Sequence, residues 1–230
     1  DAGAEIVKDN MIAGIRSCVI YTLFAVIAAG CAVNAPAPDY SALVASADRS
    51  EADRANDLRR KAVQFLAFMD PRPGMTVADI DAGGGYTTEL LARAVGATGK
   101  VYAQNTPAAV ERLKGRFDER MKNPAMKDVV YGVRPIDDPL PPEARYLDLV
   151  TFNFGYHDTT YQNVDRARMN RAVFAALKSG GHYVVADHSA KPGAGIGVGK
   201  SLHRIEESIV RSEVEAAGFR FVGEGGFLRN

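Results

Sequence analysis

The stretch Val77–Glu89, VADIDAGGGYTTE, constrains this chain more than any other part of it. It reads as a short buried strand (Val77, Ala78, Ile80), three consecutive glycines, and a helix starting at Thr87 or Thr88. Glycine is needed where the chain turns with positive φ, or where a ligand approaches bare backbone. A strand, a glycine loop and a helix in that order form the carboxyl edge of a parallel sheet, where open α/β proteins bind nucleotides. The stretch is therefore the candidate cofactor loop.

What the loop lacks narrows the ligand. A dinucleotide fingerprint needs G-x-G-x-x-G and an acid roughly 20 residues further on. Gly83 and Gly85 supply the first two positions, but Thr88 stands at the third and Asn105 at the acid's place. A P-loop needs a lysine after its last glycine, and none follows here. Asp81 sits inside the turn, where its carboxylate repels a pyrophosphate and tolerates a positively charged ligand. A sulfonium or ammonium compound is favoured over NAD or ATP.

From Met75 to Val222, apolar strand runs alternate with amphipathic helical patterns. This predicts an α/β fold, a Rossmann-like three-layer α/β/α sandwich with a mostly parallel sheet in the order 3-2-1-4-5-6. The strands are read at Met75–Ile80, Lys100–Gln104, Asp128–Val133, Leu147–Phe154, Tyr183–Ala186 and Phe219–Val222. A helix over Asp48–Met69 carries Leu58, Ala62, Phe65, Leu66 and Met69 at helical spacing, and lies either across the cleft or on the sheet edge. Further helices are expected over Thr106–Met121, Arg166–Leu177 and Ser201–Ala217. Lys191–Lys200, with four glycines, is a flexible loop that serves as a lid or as plain linker. No candidate for a closing antiparallel strand precedes Asn230, which reads as a fragment boundary or a missing strand.

Before this domain, expected over residues 48–230, residues 1–10 form a patternless upstream segment and residues 11–30 have the layout of an export signal. Arg16 is the positive flank, and the 12 residues Cys18–Ala29 are the apolar core, shorter than the ~20 that a membrane span needs. Ala28-Ala29-Gly30-Cys31 is similar to a bacterial lipobox, with alanine at the usual leucine position. An ordinary cleavage site near Cys31 and an uncleaved anchor are the alternatives. Residues 31–47 read as a tether, its AVNAPAPDY stretch small and proline-containing. Lys and Arg number 28 against 28 Asp and Glu, so the basic excess of a nucleic-acid binder is absent. The two cysteines both fall within the first 31 residues, so no disulfide framework holds the domain together.

The segments VADIDAGGGY, VYAQN and LDLVTFNF together resemble the class I S-adenosylmethionine-dependent methyltransferases. Within them, the GGGY loop, a YHD after the fourth strand, an ADH after the fifth and the LHRI-E…EVEAAGF segment resemble a bacterial group of exported methyltransferases. That resemblance implies S-adenosylmethionine as cofactor, a small-molecule acceptor and export, and the lipobox-like Ala28–Cys31 adds the expectation of a periplasmic or outer-membrane-anchored enzyme held by a lipid on Cys31. It implies cofactor contacts from Asp79, Asp81, Gly83, Gly84, Gly85 and Tyr86 in the loop, and from Asn105 on the ribose. Asp137, or its neighbour Asp138, is placed against the adenine, and Asn153 at the end of the fourth strand.

Methyl transfer to oxygen or nitrogen requires that a proton be removed. His157 and His188 both follow strands at the carboxyl edge, and each adjoins an aspartate. Either can deprotonate an acceptor, with Asp158 or Asp187 orienting it. His182 leads into a strand and reads as structural. A divalent metal site of His157, His188 and His203 with Asp158 or Asp187 is a second possibility, although no local pair has ligand spacing. An exported binding protein without turnover is a third.

Overall fold

The computed structural model describes residues 36–229. The upstream segment, the signal peptide and its Cys18, Cys31 and the first part of the tether lie outside the described residues.

Five strands form one parallel sheet in the order β3-β2-β1-β4-β5. They are β1 (Thr76–Ile80), β2 (Lys100–Asn105), β3 (Val129–Val133), β4 (Leu147–Asn153) and β5 (Leu177–Ala186). In chain order the helices are α1 (Tyr40–Val44), α2 (Glu51–Arg60), α3 (Ala62–Met69), α4 (Tyr86–Val95), α5 (Pro107–Leu113), α6 (Arg116–Arg120), α7 (Arg166–Ala176), α8 (Gly199–Leu202) and α9 (Glu207–Ala216). Because side chains alternate across a strand, the sheet feeds two cores. Val77, Val101 and Leu149 pack with Phe65, Leu66 and Leu91 on one face. Ala78, Ile80, Val150 and Phe152 pack with Met169 and Val173 on the other. This is the expected three-layer α/β/α sandwich.

The sixth strand does not form. Phe219–Val222 is irregular: only Phe219 finds an apolar seat, its ring 5.1 Å from Phe174 and 5.4 Å from Tyr183. Phe221 is capped by the Arg211 guanidinium at 3.5 Å, and Val222 is exposed. The predicted order 3-2-1-4-5-6 is thus corrected to 3-2-1-4-5.

Three predicted helices are each broken in two. Lys61 takes a left-handed conformation (φ 49°) and divides the first into α2 and α3. The register changes there, so Leu58 points to solvent while Phe65, Leu66 and Met69 reach the core. Lys114 and Gly115, both with positive φ, separate α5 from α6. His203 (φ 50°) ends α8, and the remaining turns resume only at Glu207. The predicted tether also holds structure: Asp39 caps α1 through Ser41 and Ala42, and Tyr40 is buried with its hydroxyl donating to the Pro71 carbonyl at 3.1 Å. The helix after the glycines begins at Tyr86, one residue before the predicted start. Gly180 and Gly181 fall inside β5 rather than closing a helix.

Candidate active site

With β2 on one side of β1 and β4 on the other, the connections leaving β1 and β4 diverge and open a crevice at their carboxyl ends, as at the switch point of any open α/β sheet. The glycine loop lines that crevice. Asp81 and Gly83 have positive φ (51° and 56°). A side chain built on Gly83 or Gly84 would meet no heavy atom within 4 Å, so their faces are open. Gly85 differs: a Cβ there would lie 2.7 Å from Arg120 Cδ, so its bareness serves packing.

Polar side chains hold the loop from several sides. Asn105, fully buried at the end of β2, accepts from the Gly83 N–H at 2.9 Å and donates through Nδ2 to the Gly83 carbonyl at 3.0 Å. Its amide also meets the Tyr131 hydroxyl at 3.2 Å, so its polar atoms are engaged by the protein. Arg120 donates to the Gly84 carbonyl at 2.6 Å and to Asp53 at 2.6 and 3.0 Å, and pairs with Glu89. Burial works against ionisation of Asp53, but the hydrogen bonds from Arg120 outweigh it and hold the carboxyl below its ordinary range. From α2, Asp57 accepts from the Tyr86 hydroxyl at 2.5 Å and takes both Arg49 nitrogens at 2.7 and 2.9 Å. Beneath the loop, Asp79 accepts from Thr88 at 2.6 Å and from Thr151 at 2.9 Å, pinning α4 and β4 to β1. Its complete burial pushes its pKa up to about 6.

These contacts sort the predicted cofactor residues. Asp79 and Asn105 are support for the loop rather than its surface, since neither has a free polar atom facing the crevice. Tyr86 ties the loop to α2. Asp137 meets Arg168 at 3.3 Å, and Asp138 meets Arg134 at 2.7 Å. Asp81 and Asn153 stay available. Ile80 pairs with Phe152 across β1 and β4, so Asp81 and Asn153 leave the sheet side by side. The Asp81 backbone N–H is taken by Gln104 at 3.0 Å, while burial raises the pKa of its carboxyl. Both the oxygen and the nitrogen of the Asn153 side-chain amide are buried without a partner. Buried amides are rarely left so.

One residue escaped the sequence reading. The Arg60 guanidinium lies 4.8 Å from the Tyr86 ring and 4.9 Å from the Phe154 ring, between the glycine loop and the end of β4. Among the described residues no carboxylate pairs with it, its Nε is buried without a partner, and burial lowers its pKa. A run of charged residues in a helix carries no signal that separates such an arginine from a solvated one.

Of the predicted catalytic residues, the structure joins His157, Asp158 and Asp187. Asp187 follows β5 and accepts the His157 backbone N–H at 2.6 Å, the His188 backbone N–H at 2.7 Å and His157 Nδ1 at 2.7 Å. On the far side of the ring, His157 Nε2 is 3.1 Å from Asp158 Oδ1. His203 Nδ1 is 3.6 Å from that same oxygen. The His188 side chain is exposed and lies outside this set, its ring 5.5 Å from Phe154 and 6.1 Å from His157. His182 stands exposed on β5.

The chain is 31% identical over 127 residues to the ubiquinone/menaquinone biosynthesis C-methyltransferase UbiE of Burkholderia multivorans, a stretch covering 54% of this chain and 47% of that protein. It is 33% identical over 125 residues to the same-named protein of Cupriavidus metallidurans, with the same coverage. The chain thus spans about half the length of the curated relatives it matches. Its fold is similar to a SAM-dependent methyltransferase from Aquifex aeolicus (TM-score 0.57, 19% identity, 80% of this chain and 89% of that one). It is also similar to an arsenic(III) S-adenosylmethionine methyltransferase from Chlamydomonas reinhardtii (TM-score 0.54, 19% identity, 80% and 62%). At such identities the likeness is one of fold. The ubiE/COQ5 methyltransferase family model matches residues 55–196, from α2 through the glycine loop and the His157 cluster into the glycine-rich segment before α8. With more than half of its length matched, and with the glycine loop and switch-point crevice inside the match, this chain belongs to the ubiE/COQ5 methyltransferase family.

Proposed function

We propose that the protein is an S-adenosylmethionine-dependent methyltransferase acting on a small-molecule acceptor. The observation that carries this reading is the open face of Gly83 and Gly84 after β1, together with the unpartnered amide of Asn153 at the end of the neighbouring β4. When bound, the cofactor supplies an electrophilic methyl group on a sulfonium. The chain's residues suit that ligand. Asp81 offers a carboxylate, with no hydrogen-bonded partner of its own, to the positive sulfonium and ammonium groups. Arg60 offers a cation to the methionine carboxylate, and Asn153 an amide to the ligand's polar edge. Asn105 and Arg120 keep the loop shaped for it, so that little ordering remains when the ligand enters. The acceptor is met at the cluster of His157, Asp158 and His203, in which His157 is oriented through Nδ1 by Asp187. The curated relatives are named as C-methyltransferases of quinone biosynthesis. Because half of their length is matched, their acceptor is not carried over.

Calorimetric titration tests the reading. The wild-type chain is expected to bind S-adenosylmethionine and S-adenosylhomocysteine. Gly83→Val, which fills the open face, is expected to bind neither while melting cooperatively. A wild-type chain that ignores both compounds, or that binds NAD instead, overturns it.

A further inference from the structure

We infer that His157, Asp158 and His203 form a binding site for one divalent transition-metal ion. One ligand atom from each of the three residues lies within 4.8 Å of the other two, and His157 Nε2 and His203 Nδ1 are the nitrogens nearest Asp158 Oδ1. Metal–ligand bonds of about 2.0–2.2 Å hold neighbouring donors roughly 3–3.5 Å apart. Of the two separations converging on Asp158, 3.1 Å falls within that spacing and 3.6 Å lies just above it.

The hydrogen bonding around His157 fixes the orientation of its ring. Asp187 has only acceptors, and it already receives two backbone N–H groups. Its 2.7 Å contact with Nδ1 therefore assigns the ring proton to that nitrogen. Nε2 faces the Asp158 carboxylate at 3.1 Å, on the side of the ring away from Asp187. A carboxylate fixing the remote nitrogen of a histidine is also the usual outer support of a metal-bound imidazole. Asp158 is positioned in its turn by the Tyr161 hydroxyl, which donates to Oδ1.

The third ligand is brought in by packing. A Cβ on Gly199 would lie 2.1 Å from Thr160 Oγ1 and 3.0 Å from the His157 carbonyl, so only glycine lets α8 close onto the turn that carries His157 and Asp158. Beyond α8, Ile205 bridges to Ser189, and its N–H donates to the His188 carbonyl at 3.0 Å. Glu206 accepts the N–H groups of Gly193 and Gly195, both at 2.9 Å, and so closes the glycine-rich segment on itself. His203 is thereby held against the cluster although it is distant in sequence. Two imidazoles and one carboxylate suit zinc, iron, cobalt or manganese better than magnesium or calcium, which take all-oxygen shells. His157 is buried and His203 exposed, so an ion would be reached from solvent and would keep open positions for water or an acceptor oxygen. This last role rests on the methyltransferase reading; the site itself does not.

The experiment is a titration of the full chain, stripped of metal by chelator, with zinc chloride and separately with magnesium chloride. The expected result is one zinc per chain and no comparable magnesium binding. Asp187→Asn is expected to weaken zinc by about 10–100-fold, as for other outer supports. His203→Ala and Asp158→Ala, which remove ligands, should weaken it further, and His188→Ala should leave it unchanged. His203 is exposed, so its variant should melt like the metal-free wild type, and lost binding cannot be lost folding. Gly83→Val should keep zinc while losing the sulfonium ligand, which separates failure of this site from failure of the methyltransferase reading. Wild type without stoichiometric zinc, or zinc affinity unchanged in both His203→Ala and Asp158→Ala, overturns the inference.

Discussion

The two charged residues at the mouth of the crevice make opposite demands on a ligand, and this can be measured. In the proposed reading Asp81 faces the sulfonium, which S-adenosylhomocysteine lacks, and Arg60 faces the carboxylate, which both compounds carry. Asp81→Asn is expected to weaken S-adenosylmethionine by ~0.5–1 kcal/mol, a partly screened contact, with little effect on the homocysteine compound. Arg60→Ala should weaken both ligands by about 1.5–3 kcal/mol, the scale of hydrogen bonds to charged groups. Parallel titrations of the two variants check this, and the pattern reversed would misplace the ligand in the crevice. A third carboxylate makes a prediction about pH. The pKa of Asp79 is pushed up to about 6 by burial, against about 3.9 for the unfolded chain. Between those values the folded state holds a proton that the unfolded state has lost, so stability falls as pH rises through the window. The full effect is on the order of 3 kcal/mol at most, and constant above it. In Asp79→Asn, chemical-denaturation midpoints measured from pH 4 to 7 should lose this downward slope.

The glycine loop depends on elements that are remote in sequence. Its shape comes from the end of β2, from α6 and from α2, through Asn105, Arg120 and the Tyr86–Asp57 pair. An acid at position 105, expected of a ribose-binding residue, would not improve this chain. Asn105→Asp removes the donor to the Gly83 carbonyl and places a carboxylate, fully buried, beside that oxygen. A loss of about 2–4 kcal/mol of stability is expected, visible as a lower melting temperature and weaker cofactor binding together. An unchanged melting temperature with tighter cofactor binding would return Asn105 to the ribose. The same reasoning explains why Asn105 was placed on the ligand from sequence. The end of β2 does face the crevice, but the amide's engagement with Gly83 is a contact across 22 positions that no local pattern records.

At the scale of the whole molecule, the described residues contain no helix long and apolar enough to cross a membrane. We propose that attachment, if the protein is exported, comes from Cys31. Intact-mass analysis should then find a mature chain beginning at Cys31 in the membrane fraction, with Cys31→Ser left unprocessed or released. A chain retaining Met11 in the soluble fraction would refute it. The sequence by itself determined the layered α/β fold, four of the five strands to within a residue or two, and the glycine loop between β1 and α4 at the carboxyl edge of the sheet. These follow from side-chain alternation, helical spacing and the backbone freedom of glycine, all of which are local. The start of β5, ahead of the predicted Tyr183, was not legible because Gly180 and Gly181 read as a turn, whereas they lie in an irregularity of the strand between the pairs Leu147–Leu177 and Leu149–His182. Only the tertiary structure decided that Phe219–Val222 stays out of the sheet, that Asn105 serves the loop, and that Arg60 stands unpaired between two rings. It also chose Asp187 to orient His157 and brought His203 rather than His188 to Asp158. Those outcomes depend on which polar groups compete for the same partners once distant segments are packed together, and spacing along the chain does not encode that competition.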